Sequence, residues 1–375
     1  MGLAPFVAGM KQVQILGTRG IPARHGGFET FAEKLALYLV SRHWEVTVYC
    51  QAEAGSASKT ERWQGIELVH IPAPGGSLGT IVFDLRATWH AMGKDGVALV
   101  LGYNTAIFNV LLKIAGKKVI TNMDGIEWKR KKWGSLAKAW FYANEHFGRI
   151  FSDVLVADHP AIKEHLERIP TYKKIFKRKV VTIPYGADLP LVESDELRWL
   201  AKYGVQKPYC LLVARPEPEN SILEIVEGFC RKQRNHYLVI LGEYDRGNTY
   251  HKQVLAAANQ EVVFTGAIYD KQAISSLRKN AMFYIHGHTV GGTNPALVEA
   301  LAAGMAVLAQ NNPFNRWVAG DAAVYFDDAN EASEHIDKLL SDEQMRTSMK
   351  KNANKRYSSE FRWESVLEAY EKVLQ

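Results

Sequence analysis

Near its start the chain carries the segment Gly17-Thr18-Arg19-Gly20-Ile21-Pro22-Ala23-Arg24-His25-Gly26-Gly27-Phe28-Glu29-Thr30, a strand-to-helix loop holding four glycines, two arginines and a histidine. Backbone N–H groups at Gly26 and Gly27 can approach phosphate oxygens at a helix N-terminus, where the dipole also favours an anion. A tight turn serving packing alone is the alternative. The spacing is not G-x-G-x-x-G, which removes the main support for a nicotinamide dinucleotide site. A second cluster begins at Arg215, just past an apolar run, where a guanidinium can hold a diphosphate bidentately. The third and richest is His286-Gly287-His288-Thr289-Val290-Gly291-Gly292-Thr293-Asn294-Pro295-Ala296-Leu297-Val298-Glu299. There a glycine-rich polar loop runs into a helix with Asn294 as cap and Pro295 in the first turn. Exposed N–H groups at Gly292, Thr293 and Asn294 offer another phosphate site, and Glu299, one turn in, is placed to accept hydrogen bonds from ribose hydroxyls. A sugar nucleotide fits such a set. The chain has no D-x-D pair, so no metal is expected, and the charge on a departing diphosphate falls to Arg215 and backbone donors.

These loops need strands and helices to hold them. Apolar runs at residues 13–17, 45–49, 67–71, 97–101, 118–122, 154–157 and 180–183 alternate with helical patterns, one of them over 29–41. After a polar stretch near residue 190 the alternation restarts, with strands expected at 209–213, 237–241, 262–264 and 282–285 and helices at 222–231 and 294–303. The pattern predicts an α/β chain of two Rossmann-like, doubly wound, mostly parallel sheets. The expected division is a first domain over 10–190, a second over 191–358, and a closing amphipathic helix in 359–375 that packs back toward the first. Ligands of such sheets lie beyond the carboxyl ends of the strands, and two such domains face a shared cleft.

Composition narrows the class. With 375 residues, 47% hydrophobic and 23% charged, the chain can bury a sizeable core. Its three cysteines, Cys50, Cys210 and Cys230, are too few and scattered for a disulfide framework or a thiolate zinc site, which points to a reduced cytoplasmic setting. The most apolar stretch, 97–116, is broken by Asn104, Thr105, Asn109 and Lys113 and falls short of the ~20 apolar residues of a membrane span. Residues 1–9 read as an extension or tag, lacking the basic start of a signal peptide. The net charge is +6, and it is lopsided: the first 190 residues hold 25 Lys and Arg against 16 Asp and Glu, the rest 21 against 24. The basic half suits an anionic partner: a nucleic acid, a bilayer surface or a phosphorylated substrate.

Four segments in this order, Gly26 to Phe31, Asp124-Gly125-Ile126-Glu127-Trp128-Lys129-Arg130, Arg215 to Asn220, and His286 to Glu299, make the chain resemble a GT-B fold glycosyltransferase of family 4. It is similar to the bacterial β-1,4-rhamnosyltransferases of cell-wall and capsular polysaccharide synthesis, and the similarity spans residues 11–375. The resemblance implies a retaining hexosyl transfer, from dTDP-β-L-rhamnose to a sugar hydroxyl on a lipid-linked acceptor, by front-face attack without a covalent intermediate. Glu299 matches the second glutamate of the family's E-x7-E motif, while the first falls on Gly291. Backbone N–H groups or His288 would then meet the donor sugar, and a 6-deoxy sugar fits the missing acceptor. Asn220 stands where many relatives place a phosphate-binding lysine, leaving the phosphate charge to Arg215, alone or with Arg19. Asp124 stands where many relatives have a histidine and is the expected catalytic carboxylate, with Glu127 as an alternate and Glu29 positioning the acceptor; a turn-capping role for Asp124 is the competing reading.

Trp128-Lys129-Arg130-Lys131-Lys132-Trp133 sets four cations between two indoles. Near an anionic bilayer each cation is worth about 1 kcal/mol, and tryptophan suits the headgroup layer. With the basic run 173–179 it is expected to dock the protein peripherally on the inner face of the cell membrane; a solvated helix face is the alternative. No nucleic-acid motif accompanies the basic half, so no nucleic-acid partner is expected. Competing readings are a hexosyltransferase using a UDP- or GDP-sugar, a sugar-nucleotide epimerase, and a basic nucleic-acid-binding protein.

Overall fold

The computed structural model describes residues 11–23, 26–168, 179–191 and 197–375. Arg24, His25 and most of the basic run 173–179 lie outside the described residues, as do residues 1–9. The chain divides into two compact units, one running to Pro184 and taking in Val366–Gln375, the other Tyr185–Ser365.

The first unit is built on β1 (Gln12–Leu16), β2 (Glu45–Ala52), β3 (Lys59–Trp63), β4 (Ile66–Pro72), β5 (Val97–Leu101), β6 (Val119–Asn122), β7 (Val154–Ala157) and β8 (Lys179–Thr182). They form one sheet in the order β3-β4-β2-β1-β5-β6-β7-β8. Every pairing is parallel except β3 with β4. That exception has a local cause. Gln64 and Gly65 both take positive φ, 48° and 85°, the pair of left-handed residues that closes a tight two-residue hairpin. The hairpin turns the polar segment Lys59–Trp63 back along β4 as an exposed edge strand.

In the second unit β9 (Tyr209–Val213), β10 (Tyr237–Leu241), β11 (Val262–Gly266), β12 (Tyr284–His286), β13 (Val307–Gln310) and β14 (Ala323–Phe326) pair in the order β11-β10-β9-β12-β13-β14. All five pairings are parallel. Successive residues of β9 enter opposite cores, Tyr209 and Leu211 on one side and Cys210 and Leu212 on the other, so helices cover both faces. Connections leave β9 and β12 in opposite directions, which opens a crevice at their carboxyl ends.

The last helix, Trp363–Leu374, carries buried Val366, Leu367, Tyr370 and Leu374. Its C-terminal part packs within the first unit: the Tyr370 ring packs at a tilt against Phe31 with ring centroids 4.5 Å apart, and Glu371 accepts hydrogen bonds from Tyr38 at 3.0 Å and Trp44 at 3.1 Å. Its N-terminal part belongs to the second unit, where Trp363 meets the Tyr185 ring edge-on. Both sheets are therefore as the alternation of strands and helices predicts, each doubly wound and mostly parallel.

Candidate functional site

The crevice beyond β9 and β12 is a cavity of about 240 Å³ lined by Arg215, Asn220, His286, Gly287, His288 and the Asn294–Ala296 start of a helix, among others. Four residues picked from the sequence, Arg215, Asn220, His288 and Asn294, thus meet in one place. Arg215 is exposed there, at the end of β9. Asn220 follows on a short 3-10 turn, donating through Nδ2 to the Arg215 carbonyl at 2.8 Å and meeting His288 Nδ1 through Oδ1 at 2.7 Å. Gly287 is obligatory at this crossing, because a Cβ would stand 1.9 Å from the Asn220 carbonyl oxygen.

The loop after β12 is pinned from several directions. Thr289 N–H donates to the Glu219 carbonyl at 2.8 Å, and the side chains of Asn312 and Asn315 both donate to the His288 carbonyl, at 3.0 and 2.9 Å. Asn294 caps the helix Pro295–Ala302, its Oδ1 accepting from the Ala296 N–H at 3.0 Å. Gly292 and Thr293 precede that cap without lining the cavity, and Thr293 is buried. Glu299 points elsewhere: its carboxylate is in contact with the guanidinium of Arg278, a largely buried residue of the helix Lys271–Asn280. Free hydroxyl recognition by Glu299 therefore has to share the carboxylate with Arg278, a partner the sequence did not disclose.

His286 was only a motif member in the sequence and emerges as a lining residue. Its ring is buried, Nε2 has no partner among the described residues, and burial, helped by the neighbouring His288, drives its pKa down to about 3. This imidazole is neutral at physiological pH and adds no charge to the cavity, whereas Arg215 and the helix N-terminus do.

The first unit's glycine loop holds a carboxylate of its own. The helix Gly27–Ser41 starts after Gly26 at φ 105°, yet a carboxylate already sits at this N-terminus. Glu29 Oε1 accepts the Arg19 N–H at 3.1 Å and the Thr18 hydroxyl at 3.4 Å, and its Oε2 lies 2.1 Å from where a Cβ on Gly26 would be. Glu29 is a staple of its own loop, and a phosphate at Gly26 and Gly27 would have to displace it or sit beside it. Arg19 is exposed on this loop.

At the carboxyl end of β6 the chain turns through Asp124, whose φ of 47° is left-handed, a conformation aspartate tolerates better than most residues. Its N–H donates to Asn122 Oδ1 at 2.8 Å. Burial, reinforced by the Glu127 charge and opposed by Arg130 and the Gly125 N–H, pushes the Asp124 carboxyl up to about 6. A carboxylate poised there is ionised at neutral pH and basic enough to accept a proton. The carboxylate of Glu127, the alternate base, already has partners: Oε1 takes Arg130 at 2.8 Å and Oε2 takes the Trp133 indole at 3.1 Å, while its backbone N–H donates to the Tyr103 hydroxyl at 2.7 Å.

Part of the expected membrane run is engaged within the first unit. The Trp128 indole donates to Glu145 at 2.8 Å, in a buried cluster where Glu145 also meets Arg149 at 2.5 Å and His165 at 3.0 Å. Burial would raise the Glu145 carboxyl, but the His165 bond and Arg149 charge hold it below its ordinary value. Trp128, Arg130 and Trp133 are thus structural members of this loop. Lys129, Lys131 and Lys132 remain exposed, and the neighbouring Leu136 is 87% exposed. Among the described residues no three His, Cys, Asp or Glu gather as metal ligands, and no helix is long and apolar enough to cross a membrane.

Comparison with known proteins bears on the fold. Residues 195–356 match the family model described as glycosyl transferases group 1, and residues 10–188 match a domain of unknown function, DUF1972. Among solved structures, sucrose-phosphate synthase from Thermosynechococcus elongatus superposes with a TM-score of 0.76 at 15% identity, covering 97% of this chain and 98% of that one. Anabaena HepE in complex with UDP and glucose gives 0.74 at 15%, covering 97% and 99%. The UDP-forming α,α-trehalose-phosphate synthase of Burkholderia xenovorans, in complex with glucose-6-phosphate, gives 0.71 at 13%, covering 97% and 100%. No curated protein matches the sequence. The class the fold defines is a two-unit α/β chain of the GT-B fold. Its second unit matches the glycosyl transferases group 1 model.

Proposed function

We propose that the protein moves L-rhamnose from dTDP-β-L-rhamnose, with retention and without a metal, onto a sugar hydroxyl of a lipid-linked acceptor at the cytoplasmic membrane surface. The observation that carries the donor half is the second-unit cavity, where one exposed guanidinium and a capped helix N-terminus converge at the switch point of a parallel sheet. As the glycosidic bond to the donor breaks, negative charge builds on the diphosphate, and Arg215 with the helix N-terminus is already oriented to stabilise it. Nucleotide-bound relatives of this fold, such as the HepE complex with UDP, support a nucleoside diphosphate as the leaving group. The 6-deoxy sugar is favoured by Gly291, which offers no carboxylate where the resembled family has one. In the first unit Asp124 is the base that takes the acceptor hydroxyl's proton. Lys129, Lys131, Lys132 and Leu136 provide the surface for reversible docking on an anionic leaflet.

Calorimetry with dTDP, UDP and GDP tests the donor half. Charge-assisted hydrogen bonds are worth about 1.5–3 kcal/mol, so Arg215→Ala is expected to weaken dTDP binding roughly 10- to 100-fold. Equal affinity in wild type and variant overturns the assignment of the diphosphate to this cavity.

A further inference from the structure

Asp124 is held in its left-handed conformation by a neighbour and by a residue from the far end of the chain. Asn122, the last residue of β6, is buried; its Oδ1 accepts the Asp124 N–H at 2.8 Å and its Nδ2 donates to the Tyr370 hydroxyl at 2.7 Å. The orientation of the amide is fixed by chemistry, because a backbone N–H can only donate and so must face the oxygen. Tyr370 is itself immobilised, being 2% exposed on the closing helix and packed against the Phe31 ring. Its hydroxyl spends an acceptor site on Asn122 and retains its proton.

We infer that Asn122 and Tyr370 are positioning residues for the Asp124 carboxylate, so that the closing helix of the chain sets the geometry of the base through a relay of two hydrogen bonds. The inference rests on the reading of Asp124 as base. Loss of the Asn122 acceptor releases an N–H that ties down a backbone conformation most residues avoid, and the turn relaxes. A displacement of about 1 Å at a reacting group is enough for roughly a 100-fold loss in rate. Relaxation also carries the carboxylate toward water.

The charged and titratable groups around it are few. Glu127 and Arg130 act on Asp124 from its own loop, while Tyr103, on the loop after β5, and Tyr370 lie near enough to feel its charge. Asp158, at the end of β7, acts on Tyr370 in the same direction as Asp124, so the phenol stays protonated through the working range.

The first readout needs no substrate. Carbon-13 NMR titration of the aspartate carboxyls in the full chain, with the Asp124 signal assigned by its loss in Asp124→Asn, reads the midpoint directly. Wild type is expected at about 6. Tyr370→Phe, which keeps the ring on Phe31, and Asn122→Ala are expected to lower the midpoint toward the ordinary 3.8 of a solvated carboxyl. In parallel, turnover of dTDP-rhamnose falls about 10- to 100-fold while dTDP affinity is unchanged. Variants that lose only thermal stability, with the midpoint still near 6 or higher, overturn the relay. An Asp124→Asn variant with full turnover overturns the base reading instead, whatever the titration shows. If Asn122→Ala does not fold, Tyr370→Phe alone decides.

Discussion

Asp124→Asn separates function from stability. In the wild type the carboxyl titrates near 6 in the fold against 3.8 for the free group, a gap of about two units, and each unit is worth about 1.36 kcal/mol. Because the folded pKa is raised, the folded state favours the protonated form. The contribution to stability is fully present below about pH 4 and is lost as pH rises through 6. At pH 8 the buried charge therefore costs the fold up to about 3 kcal/mol, and an isosteric amide avoids that cost. For a unit of this size about 1 kcal/mol moves the melting temperature by 2–4 °C, so Asp124→Asn is expected to melt up to about 6–12 °C higher than wild type at pH 8. The advantage shrinks to less than about 1 kcal/mol at pH 4. The same substitution removes a general base, for which a loss of about 10²- to 10⁴-fold in turnover is expected, with dTDP affinity intact. Wild-type turnover itself should rise with pH through about 6 and level off above it. Melting curves of both proteins at pH 4 and pH 8, with turnover of dTDP-rhamnose alongside, check the reasoning. A variant that melts lower than wild type at pH 8, or a stability gap that does not depend on pH, refutes it.

Neutral, buried His286 gives the opposite acid dependence. Its pKa falls from 6.5 to about 3 in the fold, so stability is lost as pH drops below 6.5, by about 2 kcal/mol at pH 5. Melting temperatures of His286→Asn should accordingly differ less between pH 7 and pH 5 than those of wild type, and an unchanged difference contradicts a neutral ring. Lys129, Lys131 and Lys132 together are worth about 3 kcal/mol on an anionic surface, so replacing all three with glutamine should reduce partitioning onto phosphatidylglycerol-containing vesicles about 100-fold at low salt. Sedimentation that is the same for wild type and triple variant rules this face out as the docking surface. Turnover is expected to persist in EDTA, and abolition by the chelator with rescue by a divalent ion contradicts the metal-free scheme.

The sequence was most informative where local chemistry is self-contained. Runs such as Val97–Leu101 and Tyr209–Val213 are apolar throughout because both faces of their strands are covered, and the structure forms them with those bounds. Lys59–Trp63 gave no such signal, since an edge strand with exposed side chains needs no apolar pattern and is specified by the Gln64-Gly65 turn. Arg215, Asn220, His288 and Asn294 were legible as a set because each follows a strand end or starts a helix, positions that parallel sheets bring to one edge. What stayed hidden depends on partners far along the chain. Nothing near Asn122 announces a hydroxyl 248 residues later, and nothing near Trp128 says that its indole is committed to Glu145. Two indoles flanking lysines look interfacial until their N–H groups are accounted for, while the lysines and Leu136 stay exposed.

A crystal structure of the protein with dTDP bound tests the central claim most directly. The account predicts the diphosphate against Arg215 and the first turn of the helix Pro295–Ala302, with the nucleoside beyond the carboxyl ends of β9 and β12. Nucleotide bound at the Gly26-Gly27 loop, with the Arg215 cavity empty, contradicts it.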